Sequence, residues 1–410
     1  MIAARSTTIV RDHAVSVVPM DVDARSAPDS VRRAGLAAGI LFFVNGATFS
    51  NWLPRIPEIR DHLGLSNGGL GATLLGGGLG GIVGALLVGR VMDRFGSRRV
   101  LTFAACCLSI GVVSIGFVGA APLLLIILTV LGVLDVLNDT AMNAQGVMVQ
   151  DLLGRSIMNR LHAMWSLGFT GGALVGSLAS AARLGLRWHL GIVGAVLLTV
   201  VLVARRWFIP VDTPHDEAPV AAGPKRRLPP RPVLLMAVAA FGAAALEVTP
   251  NDWAAVMMRD VFHAGRFAGL GTVACAGAML VGRLGGDHVL DRVGHQRLMN
   301  GALVLVGIGA TTTVLAPHAA VAFAGLAVWG LGLSVVFPGL YAAAARLPGV
   351  SAGSGLGSML FGQRFGGMCT AVSIGFIADR HGLRVAVAVV CAIAFGLLFT
   401  ALRPARNDDA

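Results

Sequence analysis

The chain has 410 residues, 55% of them hydrophobic and only 13% charged, where a soluble protein of this size carries roughly a quarter charged residues. That composition excludes a water-soluble globule and points to a polytopic membrane protein. Net charge is +11, nearly all of it arginine, with Lys225 the single lysine; in so apolar a chain these are topology signals and surface anchors, and no nucleic-acid partner is expected.

Glycine is abundant, with 55 residues. In membrane helices small residues let backbones approach closely, and Gly77 to Gly81 and Gly80 to Gly84 supply that four-residue spacing. The five cysteines, Cys106, Cys107, Cys275, Cys369 and Cys391, fall in apolar stretches without metal-ligand or redox spacing, so no disulfide, metal or cofactor is expected.

Residues 1–33 carry five arginines and no continuous apolar run, which predicts a cytoplasmic tail and not a signal peptide. A span needs about 20 apolar residues. Twelve follow in order, near 34–54, 66–89, 99–118, 122–150, 160–183, 186–208, 231–257, 265–289, 297–316, 318–345, 353–378 and 383–402. Between the sixth and seventh, the Pro-rich, charged stretch 209–231 is a linker. The expected organisation is a six-helix bundle over 34–208, a cytoplasmic linker over 209–231, a second bundle over 232–402 and a cytoplasmic tail over 403–410. With both termini inside, cytoplasmic segments hold 22 of the 32 basic residues and the opposite loops 8, an asymmetry that favours this orientation.

The two halves repeat. Gly89-Arg90-Val91-Met92-Asp93-Arg94-Phe95-Gly96-Ser97-Arg98-Arg99 returns as Asp291-Arg292-Val293-Gly294 followed by Arg297. Asn51-Trp52, Arg60-Asp61 and Gly69-Leu70-Gly71 return as Asp252-Trp253, Arg259-Asp260 and Gly269-Leu270-Gly271, and Arg183 to Arg187 returns as Arg380 to Arg384. All offsets lie between 197 and 201 residues, which marks parallel repeats of one six-helix unit.

On these residues the chain resembles the major facilitator superfamily over essentially 34–402. The Gly89 to Arg99 loop is similar to that superfamily's signature between helices 2 and 3, with Ser97 in place of the usual basic residue. The strings Asn51 to Arg60 and Arg160 to Gly168 look like a bacterial inner-membrane branch related to sugar and fucose permeases. The resemblance implies an all-α fold of 12 transmembrane helices in two bundles, in a bacterial cytoplasmic membrane. It also implies a latch between the halves, in which Asp93 with Arg94 and Arg98, and Asp291 with Arg292, pair in the outward-open state. Gly89, Gly96, Gly294 and Asp287 complete this gating set, and Arg283 is expected to join Asp287 and Asp291 there.

Charges inside a membrane cost a few kcal/mol each and call for an explanation. Asp135, Asp139 and Asn143 in the fourth span are spaced i, i+4, i+8, so they share one helix face that must avoid lipid. Two carboxylates one turn apart repel in a low dielectric, which poises one to bind and release a proton; Asp135 leads Asp139 in this role, with Glu247 in the seventh span as a third candidate. Asn45, Asn138, Asn143, His162, Trp165, Tyr341, Gln363 and Arg364 are the candidate substrate-cavity residues. Arg364 would bind an anionic group or neutralise Glu247 or Asp135. Trp52 and Trp253 suit an aromatic belt, with sugar stacking as the alternative.

The leading expectation is a secondary transporter of a small polar solute, sugar- or cyclitol-like, working by alternating access and proton symport. Proton-antiport efflux of a metabolite or drug and a transport-inactive receptor or scaffold are the alternatives. There is no phosphate loop and no hydrolase or metalloprotease motif, so no enzymatic activity is expected. The expected partners are a small-molecule substrate, protons and the lipid bilayer, with the chain a monomer.

Overall fold

The computed structural model describes residues 29–209 and 230–402. Residues 1–28, most of the linker and the C-terminal tail lie outside the described residues, while residues 29–33, expected in the N-terminal tail, form the start of the first helix. Fourteen α-helices account for nearly all of what is described, and no strand occurs among the described residues. In chain order they are α1 (Asp29–Ser50), α2 (Ile56–His62), α3 (Asn67–Phe95), α4 (Ser97–Ile115), α5 (Ala121–Leu153), α6 (Met158–Ala181) and α7 (Leu186–Ala204). The second half follows with α8 (Arg231–Asp260), α9 (Leu270–Val293), α10 (His295–Leu315), α11 (Ala319–Leu333), α12 (Val336–Ala344), α13 (Ala352–His381) and α14 (Leu383–Leu402).

Two predicted spans are more complex than a single helix. Past Ser50 the chain turns through a short 3-10 segment at Leu53–Arg55 into α2, because Pro54 and Pro57 each start a new helical turn where a missing N–H costs nothing. The predicted span 318–345 breaks between α11 and α12. Pro338 removes a helical N–H and its ring clashes with the carbonyl four residues back, at Ser334, where α11 has just ended.

Ten helical stretches among the described residues are long and apolar enough to cross a membrane. Helices α6 and α13 have the length, but Arg160, His162, Ser166, Ser177, Gln363, Arg364 and Asp379 make them more polar. Helix α6 packs between α1 and α9, and α13 between α8 and α3, and Ser166 and Ser177 are buried in the α6 contacts.

Packing in one half repeats in the other. The pairs α1 with α6, α3 with α5, α4 with α5 and α4 with α7 recur as α8 with α13, α9 with α11, α10 with α11 and α10 with α14. The halves meet along two matching seams, α3 against α13 and α6 against α9. Glycine rows set the closeness: a Cβ on Gly76 would lie 2.5 Å from the Leu125 carbonyl oxygen, and Gly80 and Gly84 continue that contact between α3 and α5. Gly96 and Gly294, at φ +73° and +79°, form the matching tight turns into α4 and α10 in a backbone region that side chains disfavour.

Because α1 starts and α14 ends at the same end of the bundle, the molecule has a terminal end and a distal end. The distal end holds the chain between α1 and α3, the end of α8 and the end of α13.

Candidate functional site: a charged central cavity between the halves

Helix α5 presents Asp135, Asp139 and Asn143 as one stripe, as the spacing predicts. Asn143 Nδ2 donates to the Asp139 carbonyl at 2.8 Å and to its carboxylate at 3.2 Å. Asp139 is exposed although it sits some 27 Å along a membrane-length helix, and the phenol of Tyr341 and the guanidinium of Arg364 lie within electrostatic reach of it. The stripe therefore faces an internal cavity between the halves.

Arg364 on α13 resolves its predicted choice of partner. Its Nη1 lies 3.8 Å from Asp135 Oδ2, across the seam between the halves. The contact is an ion pair but too long for a hydrogen bond. Gly81 on α3 is where this side chain crosses, since a Cβ there would sit 3.2 Å from Nη1.

Glu247 on α8 takes a different cation, one the sequence reading placed elsewhere. Arg283 is expected in the gating network and does lie nearer the terminal end of α9, about 15 Å before it, but its charged partner is in the cavity. Its Nη2 is 4.0 Å from Glu247 Oε1, its Nη1 donates to Ser166 Oγ on α6 at 2.8 Å, and its guanidinium sits 5.8 Å from the Trp165 ring centroid. The side chain of Asp287 lies outside the described residues.

Trp165 is fully committed. Its Nε1 donates to Asn45 Oδ1 at 2.7 Å, and its ring stacks on Phe169 at 5.2 Å with Arg283 near its face. Asn45 is buried and faces Asp135, and its Nδ2 has no hydrogen-bond partner among the described residues. His162 packs edge-on against Phe42 at 5.2 Å while remaining exposed. Tyr341 is 42% exposed, and Gln363 is half-buried beside Arg364. Asn138 falls three residues after Asp135, off the polar stripe, and is buried with its Oδ1 unpartnered among the described residues.

Two expectations fail on burial. Trp52 and Trp253 are 7% and 0% exposed, so neither forms a belt or offers a face to a sugar ring. Trp188, by contrast, is 72% exposed at the distal start of α7.

Among the described residues, neither aspartate of the expected latch is ion-paired in this state. Asp93, Arg94, Asp291 and Arg292 are exposed at the terminal end, and among the described residues no ion pair joins Asp93, Asp291 or Arg292 across the halves. Gly89 is likewise exposed with open space around its Cα. Ser97 is buried and accepts a hydrogen bond from Gln145 at 2.8 Å, which ties the start of α4 to α5 in place of a basic side chain.

The distal end is closed by contacts that sequence alone did not assign. Arg60 Nη1 donates to Asp260 at 2.6 Å, and Arg259 lies 2.9 Å from Asp61. Asp379 on α13 accepts from Ser66 Oγ at 2.7 Å and from the Gly68 N–H at 2.9 Å, capping the start of α3 from the other half. Beneath them Arg55, 2% exposed, pairs with Glu58 and donates to the Leu184 carbonyl at 2.8 Å, while Glu58 accepts from Ser180. A cavity that holds five charged groups, closed at one end and flanked at the other by exposed loops, can admit a solute from the terminal side.

Comparison with known proteins bears on the fold. Residues 38–371 match the family model described as Major Facilitator Superfamily. An uncharacterised MFS-type transporter of Yersinia pestis is 28% identical over 371 residues, covering 90% of this chain and 94% of that one. Among solved structures, a mutant of the nucleoside transporter NupG superposes with a TM-score of 0.73 at 14% identity, over 90% of this chain and 99% of that chain. A D-xylose-proton symporter superposes with a TM-score of 0.69 at 15% identity, over 92% and 98%. At these identities the two structures speak to the fold alone.

Proposed function

The chain belongs to the Major Facilitator Superfamily, and from that premise we propose that it is a proton-coupled secondary transporter of a small polar solute. In this reading residues 34–208 and 232–402 are the two rocking units, both termini are cytoplasmic, and the membrane is the bacterial cytoplasmic membrane. The terminal end is then the inside, and the conformation is inward-facing.

The observation that carries the proposal is the Asp135–Arg364 pair, 3.8 Å apart and contributed by opposite halves. Protonating Asp135 removes the attraction that links α5 to α13 at the cavity. Deprotonation restores it, so proton occupancy biases which arrangement of the halves is favoured. Asp139, one turn away and with no ion pair within 4 Å among the described residues, is the second proton site.

The substrate is read from the lining. Asn45, Asn143, Tyr341, Gln363 and the carboxylates offer donors and acceptors, and the tryptophans that could have stacked a large aromatic compound are buried or committed. That supports a compact, hydroxyl-rich solute of sugar or cyclitol type, imported with a proton. Efflux by proton antiport uses the same residues with the flux reversed and is kept as the second reading. In the opposite conformation the Asp93 and Asp291 loops form the inner latch. The receptor reading predicts no solute flux and no role for Asp135.

The test is proton movement in proteoliposomes, followed with a pH-sensitive dye while sugars, cyclitols, amino acids and drugs are added. A substrate-dependent signal lost in Asp135→Asn supports coupling, and its sign gives the direction. A full-size signal in both Asp135→Asn and Asp139→Asn removes α5 from the coupling role.

A further inference from the structure

The repeated dipeptides Arg60-Asp61 and Arg259-Asp260 stand at matching places in the two halves, and at the distal end they meet. Arg60 contacts Asp260 at 2.6 Å and its own neighbour Asp61 at 3.2 Å; Arg259 contacts Asp61 at 2.9 Å and its own neighbour Asp260 at 3.0 Å. Each arginine therefore touches both aspartates, and the four side chains close into a ring of alternating charge. Arg60 also donates to Asn67 Oδ1 at 2.7 Å, which fixes the ring to the first turn of α3.

The arrangement has a physical consequence that a simple clamp would lack. If both arginines lay on one half and both aspartates on the other, parting the halves would strand two like charges on each side. Here each half carries one arginine and one aspartate as chain neighbours. When the seam opens, the two cross-half contacts break, but Arg60–Asp61 and Arg259–Asp260 remain as internally neutral pairs. No net charge is left behind on either side, so the ring adds to the closed state without making the open state prohibitively costly.

We propose that these four residues form the distal gate of the transporter: a self-neutralising charge ring that holds the distal end shut and releases it once per cycle. The Asp379 cap on Ser66 and Gly68 reinforces the same seam. Partial exposure of the ring, from 13% at Arg60 to 57% at Asp61, keeps each contact screened by water, as a gate that must reopen requires.

The test reads conformation and not transport, so it stands or falls apart from the proton-coupling proposal. With the five native cysteines replaced, spin labels are placed at Phe117→Cys and Leu315→Cys, exposed positions at the distal end of opposite halves. Distances are then measured by electron paramagnetic resonance in nanodiscs. Exchanging one dipeptide (Arg60→Asp with Asp61→Arg) sets like charges against each other across the seam and should raise the distally open population by roughly fivefold or more. Exchanging both dipeptides together restores every opposite-charge contact and should return the native distribution. Exchanging across the seam (Arg60→Asp with Asp260→Arg) keeps the cross-half attraction but gives each half two like neighbours, so the open population should fall below native. Raising salt to about 1 M should move the native protein towards the open state, because exposed pairs are screened. A native distribution in the single-dipeptide exchange overturns the proposal. So does a fourfold exchange that melts at the native temperature yet stays open.

Discussion

Arg283 on α9 donates to Ser166 Oγ on α6 at 2.8 Å, so a cation from the second half is held on the first half at the same depth as the acidic cavity. Together with Arg364 reaching Asp135, both cavity arginines come from the second half and both engage the first. Movement of one half against the other must therefore remake a charged contact at each seam.

Removing one member of a partly buried pair leaves the other unpaired, which costs more than the pair itself contributes. Arg283→Gln should lower stability by about 1–3 kcal/mol, discounted from the fully buried case because Arg283 and Glu247 are 23% and 20% exposed. Adding Glu247→Gln should recover most of the loss. Thermal unfolding of the single and double variants in detergent measures this, and an additive double variant would show that the two charges do not interact.

Asp135→Asn should reduce substrate-driven proton movement on the order of tenfold or more, and flatten the dependence of transport on external pH. Asp139→Asn should leave the Asp135–Arg364 contact standing while removing the second proton site. Uptake measured across a pH series would separate them. Identical profiles for the two variants would assign the carboxylates one shared role.

Trp253, with no exposed surface, should behave as a core residue: Trp253→Ala is expected to cost about 3–5 kcal/mol. Trp188→Ala, at an exposed position, should change stability by about 0.5 kcal/mol or less. Melting temperatures of the two purified variants decide it, since an aromatic-belt role for both would give similar small shifts.

Gly96→Ala and Gly294→Ala each force a side chain into positive φ with extended ψ and should cost about 1–3 kcal/mol. Gly89→Ala, which meets open space in a helical backbone, should be neutral or slightly stabilising. Expression and thermal stability of the three variants would show whether the loop glycines serve the turn or the helix face.

Much of the fold was legible in the sequence. Span length and the repeated landmarks are local or periodic properties, and each half had to bury the same kinds of faces in the same order. The i, i+4, i+8 stripe of Asp135, Asp139 and Asn143 was legible for the same reason, since a helix fixes which side chains share a face. The spans at 160–183 and 353–378 were found by apolar length, although α6 and α13 are more polar than the other spans.

What only the tertiary structure decided was which charges meet. Arg60-Asp61 and Arg259-Asp260 were visible as a repeat, but the repeat could not say that each arginine takes the other half's aspartate. Arg283, expected in the gating network with Asp287 and Asp291, sits with Glu247, Ser166 and Trp165; Trp52 and Trp253, near span ends, are core. A pattern along one helix fixes angle and depth within that helix. Contact across a seam depends on how two helices are set against each other, which is determined by packing of the whole bundle and by the state in which the halves are caught.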